Sequence, residues 1–307
     1  MFNYFALKFT VFVKRFSMKK IFKIPLMILL LVSYLFCNPQ EKLVPSITPI
    51  EWLKENINNP NVIVVDLRPY ADYQKGHLKN AVNIPGLKSL FDDKFFMPKL
   101  NILKEVFSDA GIDSNKLVVA YDNGDFIWAA RLYWILQTLG HENVGILKVA
   151  YGQELIDNFE ISTNNYIALK SEFVPRIDNS KIETKLSTLL SIGNKTIIDG
   201  RAESHYIGEK SIAKRYGHIP TAENYACTQN FQVNTAGNKM RELSELKEIY
   251  KNIPKDKKVL LYCDGGADAA LNYIVLQELG YKAAVYDGSW AEWGNDESVP
   301  IENPSKK

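Results

Sequence analysis

The chain repeats itself, and an internal repeat limits the available folds more than any single motif does. VIVVDLRPYADYQKGHLKNAVNIP (Val62 to Pro85) returns as TIIDGRAESHYIGEKSIAKRYGHIPTAENY (Thr196 to Tyr225). Each copy has an apolar run ending in Asp-x-Arg and, further on, a Gly-His-apolar step followed by Ala and Asn. Asp66 and His77 are 11 positions apart and Asp199 and His218 are 19 apart, so the second copy carries eight extra residues, within GEKSIAKRY. After the histidines the register holds: His77 to Asp122 and His218 to Cys263 both span 45 positions. Asp122 therefore stands where Cys263 stands.

Within each copy, short β-branched or apolar runs (62–65, 117–121, 196–198, 259–262) alternate with longer helical patterns such as 129–139 and 269–279. Such alternation predicts an α/β fold with two similar domains, each a parallel sheet flanked by helices on both faces. The expected layout is residues 45–158 for the first domain, a bridge over 159–180, and residues 181–303 for the second. Within the bridge, YIALK and EFVP read as short extended pieces packed on the body.

Composition excludes several classes. A formal net charge of +2 gives no field for nucleic acid or an anionic membrane surface. Cys37, Cys227 and Cys263 lie far apart, with no C-x-x-C and four histidines, so neither a zinc site nor a disulfide framework is suggested. No metal or organic cofactor is expected.

Residues 1–37 read as an export or anchor segment, with Met18 the more conventional start. MKKIFKIPLMILLLVSYLFC has a lysine-rich beginning and an apolar run of signal-peptide length. That run is short for a spanning helix, which needs about 20 apolar residues. Cys37 before NPQEK resembles a bacterial lipoprotein cleavage site, although Phe36 and Tyr34 replace the usual small and leucine-like residues. Lipidation, plain cleavage and an uncleaved anchor stay open. The expected location is exported: periplasmic, or membrane-associated through this segment.

Cys263 closes the strand pattern VLLY and opens the loop CDGGADA, Asp264, Gly265, Gly266, Ala267, Asp268 and Ala269 following it. In open parallel α/β sheets ligands sit at the carboxyl ends of strands. The glycines allow backbone N–H groups to converge on an anion, and a helix starting near Ala269 adds its positive end. The expectation is a thiolate, because a helix N-terminus lowers a cysteine pKa from about 8.5. Asp264 and Asp268 oppose this by repulsion. Asp268 is expected to cap the helix, and Asp264 to face the entrance and favour a neutral or cationic ligand. Cys227, away from such a loop, reads as a packing residue. Arg68 and Arg201 are expected in internal ion pairs with Asp66 and Asp199, and His77 and His218 in structural roles.

The paired Asp-x-Arg and Gly-His segments, Cys263 with its loop, and VYDGSWAEW (Val285 to Trp293) together resemble the two-domain rhodanese sulfurtransferases, over roughly residues 48–300. The closing motif reads as structural, a turn with packing tryptophans. The resemblance implies a Cys263 persulfide, loaded from a small donor such as mercaptopyruvate or thiosulfate and discharged to a thiol or cyanide acceptor. It implies a first domain without the cysteine, which Asp122 fits. Thiosulfate-using members have basic residues after the cysteine, and mercaptopyruvate-using members have Gly-Ser-Gly there. This loop has neither. Where the family proposes a serine–aspartate–histidine relay, the serine place is Gly265, while Asp66 and His77 are present. An anion-binding arginine of many members is replaced by His205, leaving Arg201 nearby. Cysteine phosphatases place an arginine after five intervening residues, and here that place is Ala269. The remaining alternative is a non-catalytic rhodanese-like binding module.

Overall fold

The computed structural model describes residues 43–306, which belong to one compact unit. The expected leader and the fate of Cys37 lie outside the described residues. Among those described, no helix is long and apolar enough to cross a membrane.

The first sheet is built from β1 (Ile47–Thr48), β2 (Val62–Asp66), β4 (Val82–Asn83), β5 (Leu117–Tyr121) and β6 (Val144–Leu147), in the order β1-β6-β5-β2-β4. A short β3 (His77–Leu78) pairs antiparallel with β7 (Ile161–Ser162). The second sheet uses β8 (Ile182–Glu183), β9 (Thr196–Asp199), β10 (Ala222–Asn224), β13 (Val259–Tyr262) and β14 (Ala283–Tyr286), in the order β10-β9-β13-β14-β8. A small hairpin joins β11 (Phe231–Gln232) to β12 (Lys239–Met240). Reversed, the second order reproduces the first, strand for strand, as the repeat requires. Every neighbour in both main sheets is parallel. Parallel strands are covered on both faces, so β5 (LVVAY) and β13 (VLLY) are apolar and buried throughout.

The segment after the first domain lies on the body. Ser171 N–H donates to Ser108 O (2.9 Å) and Arg176 N–H to Leu139 O (2.7 Å), while Phe173 meets Phe107 edge-on at 5.1 Å.

Two helices, Ile127–Thr138 and Ala267–Glu278, are buried on nearly all sides, which marks an interior helix rather than a surface one. They pack against each other across the two domains. Tyr133 and Tyr273 rings lie 6.4 Å apart, and Tyr133 OH donates to Gln277 Oε1 at 3.1 Å. Each helix follows the central strand of its own sheet, so this contact brings the β5 and β13 loop regions together. Both helices start two residues earlier than the sequence pattern suggests. Phe126 (φ 58°) and Gly266 (φ 88°) adopt left-handed backbone and turn the chain into the helix at once.

The eight-residue insertion braces the C-terminal motif. Arg215 donates to Trp293 O (2.6 Å) and Val299 O (2.8 Å), and Trp290 Nε1 donates to Ser211 Oγ (3.0 Å).

Candidate active site

Cys263 directly follows β13, the central strand of the second sheet, and is 1% exposed. Gly266 N–H donates to its Sγ at 3.0 Å, and the amides of Gly265 and Ala269 also point to the sulfur. The loop is held from below by the C-terminal motif. Ser289 Oγ, which donates to Tyr286 O (2.8 Å), accepts from Cys263 N–H (3.2 Å). Trp290 N–H and Ala291 N–H donate to the carbonyls of Cys263 and Asp264, each at 2.9 Å.

The first domain has the same loop around a carboxylate. Asp122, 1% exposed, accepts from the amides of Gly124 (3.0 Å), Phe126 (3.1 Å), Trp128 (3.1 Å) and Ala129 (3.2 Å). The repeated loop is thus a ring of backbone amides in both domains, closed on a carboxylate in one and around a sulfur in the other. Burial raises the Asp122 pKa even so, against the pull of those amides.

The first domain also closes the site. Phe95, with a left-handed backbone (φ 64°), lies over the loop, its Cβ 3.3 Å from where a Cβ on Gly265 would stand. Met97 N–H donates to Asp287 Oδ2 (2.7 Å), and Arg131 Nη1 meets Asp287 Oδ1 (2.7 Å). A Cβ on Gly266 would fall 2.7 Å from the same Nη1, so that glycine is required by contact as well as by backbone. Arg131 is fully buried, with its guanidinium over the rings of Phe91 (4.3 Å) and Trp134 (4.7 Å).

The rhodanese-like domain family matches the chain twice, over residues 49–152 and 183–296. The chain belongs to the rhodanese-like family. Similar curated proteins include the thiosulfate sulfurtransferase of Corynebacterium glutamicum (29% identical, 83% of this chain and 90% of that one) and the 3-mercaptopyruvate sulfurtransferase of Escherichia coli K12 (26%, 82% and 96%). Among solved structures, SseA of Escherichia coli, described as a 3-mercaptopyruvate sulfotransferase with the rhodanese fold, matches with a TM-score of 0.69 at 25% identity, covering 80% of this chain and 99% of that one. EanB, solved as a persulfide with ergothioneine, has the same fold: TM-score 0.75 at 24% identity, covering 84% of this chain and 70% of that one. This rhodanese-like protein is a sulfurtransferase with two tandem domains.

In this rhodanese-like protein the thiolate expectation needs correction. Burial pushes the Cys263 thiol up to about 12; Asp268 and Asp264 add repulsion, and the amides of Ala269 and Gly265 pull the other way. The sequence showed the amides and both aspartates, but not how deeply the fold buries the sulfur.

Asp268 does not cap the helix. Gly266 occupies that position, and Asp268 lies in the first turn, with the Cys227 thiol among the groups acting on its carboxylate. Burial, then repulsion from Asp264, raises its pKa to about 6. Asp264 is not a bare charge at an entrance: His205 Nδ1 stands 3.1 Å from Oδ2 and Arg201 Nη1 3.8 Å from Oδ1. Burial raises its pKa while those two partners oppose the rise. Arg201 also makes the ion pair read from the sequence, with Nη2 2.6 Å from Asp199 Oδ2 and 2.7 Å from Gly217 O, and so holds both groups.

Asp66 and His77 have partners within the first domain. Asp66 is paired with Arg68 (2.6 Å) and accepts from Tyr121 OH (2.7 Å); His77 bonds Tyr73 O through Nδ1 (2.8 Å) and stacks on that ring at 3.6 Å. Asp199 with Arg201, and His218 on Tyr206 (3.9 Å), repeat the arrangement in the second domain. A residue pair that recurs as a clamp in both copies, one without any cysteine, reads as architecture rather than as a relay. Arg131, Phe95 and Ser289 were missed as site residues. Arg131 carried a signal: a lone charge inside the apolar WAARLYWIL run must find a buried partner.

Proposed function

We propose that Cys263 is the sulfur carrier: its sulfur attacks the sulfane sulfur of a small donor, becomes a persulfide, and delivers that sulfur to a thiol or cyanide. With thiosulfate the balance is Cys263–SH plus thiosulfate giving Cys263–S–SH plus sulfite; the donor's sulfur–sulfur bond breaks and the thiol proton ends on the persulfide. The observation that carries this proposal is the amide ring of Gly265, Gly266 and Ala269 aimed at Sγ. Preorganised donors of this kind stabilise charge as it develops on sulfur, without requiring a resting thiolate. The scheme is covalent catalysis and calls on no cofactor.

The loop also supports a donor preference. A thiosulfate dianion would meet the Asp264 carboxylate, to which His205 and Arg201 are already committed, and no cation lies within residues 263–269 themselves. Mercaptopyruvate, with a single negative charge, or an uncharged sulfane donor suits the loop better. The lysine-rich, apolar segment ending at Cys37 supports action after export, with membrane attachment through that segment.

Steady-state cyanide assays with both donors test this. Mercaptopyruvate should give the higher kcat/KM, and Asp264→Asn should raise kcat/KM for thiosulfate by about tenfold, the effect of relieving about 1.4 kcal/mol of repulsion at an effective dielectric near 20. Equal use of both donors, or no response to Asp264→Asn, would contradict the preference. A binding module would turn over neither donor.

A further inference from the structure

Cys227 is not used by the scheme above, yet the fold brings it to the same loop. It opens a one-turn 3-10 segment, Cys227–Asn230, after β10. Its N–H donates to Gly200 O (2.9 Å), and Gly200 N–H donates to Tyr262 O (2.8 Å), the residue before Cys263. Gly200 lies against the first turn of the 267–278 helix: a Cβ there would stand 3.5 Å from the Ala269 amide nitrogen. Burial and then the nearby Asp268 carboxylate raise the Cys227 thiol above its ordinary range, and both cysteines belong to one buried cluster, 7% and 1% exposed.

The repeat shows what is particular here. Nine residues after the Gly-His histidine, the first domain has Gly86 and the second Cys227; six after Asp122 and Cys263 come Trp128 and Ala269. In the first domain Trp128 fills the space over Gly86, where an added Cβ would stand 2.7 Å from the tryptophan Cβ. In the second, a small alanine and a thiol occupy the same two places, beside a carboxylate able to take a proton.

We propose that Cys227 resolves the Cys263 persulfide, forming a Cys227–Cys263 disulfide and releasing hydrogen sulfide. Cys227 sulfur attacks the inner sulfur of Cys263–S–SH and gives its proton to Asp268. The sulfur–sulfur bond of the persulfide breaks, and hydrosulfide leaves and is protonated. Two thiols are oxidised to a disulfide while the sulfane sulfur is reduced to sulfide, so the step needs no outside oxidant. A dithiol reductant would then reset the enzyme. The inference rests on the Cys263 persulfide of the preceding subsection, and its test separates the two.

The full-length protein is loaded with 3-mercaptopyruvate without acceptor, quenched by denaturation in an alkylating agent, and its cysteine peptides are weighed alongside a sulfide measurement. Wild type should release about one sulfide per chain and yield a Cys227–Cys263 linked peptide. Cys227→Ser and Cys227→Ala should keep one extra sulfur on Cys263 and release no sulfide. A wild-type chain that keeps the extra sulfur on Cys263, with Cys227 alkylated or itself carrying the sulfur, would overturn the proposal. Lack of any extra sulfur on Cys263 in both variants would overturn the persulfide itself, and this step with it.

Discussion

Cys263 lies under two opposed influences whose sizes decide how the site works. A helix end is worth about 0.3–2 kcal/mol to a nearby anion. Taking the thiol from an ordinary value of 9.0 to about 12 corresponds to a net penalty of about 4 kcal/mol on the thiolate. Burial wins, so the resting group is a thiol, and in the proposed reaction the amide ring acts on charge that appears during attack. Because the reactive form must lose a proton, alkylation of Cys263 by a small reagent should rise about tenfold per pH unit from neutrality up to about 12. Asp268→Asn, which removes the largest charge opposing ionisation, should speed alkylation several-fold at a fixed pH. A rate that levels off below pH 8 would show that the ring outweighs burial. Position and residue type at Cys263 were legible in the sequence, since a strand end, two glycines and a helix can be read locally. Its acidity was not, because burial of the sulfur is a property of the assembled fold and not of the local sequence.

The loop from Cys263 to Ala269 is the element on which the proposed chemistry depends, and Gly266 sets its shape. Its φ of 88° favours glycine, and a methyl group there would stand 2.7 Å from Arg131 Nη1. Gly266→Ala should therefore cost more than the 1–2 kcal/mol typical of left-handed backbone strain alone, and should abolish sulfur transfer by turning the Gly266 amide off Sγ. Gly280→Ala is the natural comparison: φ is 81° there, but nothing lies within 4 Å, so only the backbone cost should appear in thermal denaturation. Equal losses of stability at the two glycines would show that Arg131 yields freely. The same glycine explains why Asp268 was misread as the cap. Helix-start rules favour aspartate at the cap, but a left-handed glycine two residues earlier had already begun the helix.

At the scale of the whole molecule, the sheet topology was the most legible feature, because a repeat with alternating strand and helix patterns leaves few arrangements. The contact between domains was not legible: Arg131 and Asp287 are 156 positions apart, and only the fold brings them within 2.7 Å. Breaking one side of such a buried pair strands the other, so Arg131→Met should cost about 3–5 kcal/mol, and the double variant with Asp287→Asn clearly less than the sum of the two single changes. Additive losses would place these residues in separate roles. Asp287 also accepts from Met97 N–H, so a first-domain segment is tied to the turn beneath the Cys263 loop, although the first domain lacks a cysteine of its own at that place. The central claim is that this covered sulfur takes up another sulfur atom. Its most direct test is the intact mass of the full-length protein after brief exposure to 3-mercaptopyruvate, quenched under denaturing conditions, with Cys227→Ser included so that the adduct is retained. The account predicts one added sulfur, mapped to Cys263 and lost on treatment with cyanide. An unchanged mass, or an adduct that persists in Cys263→Ser, would contradict it.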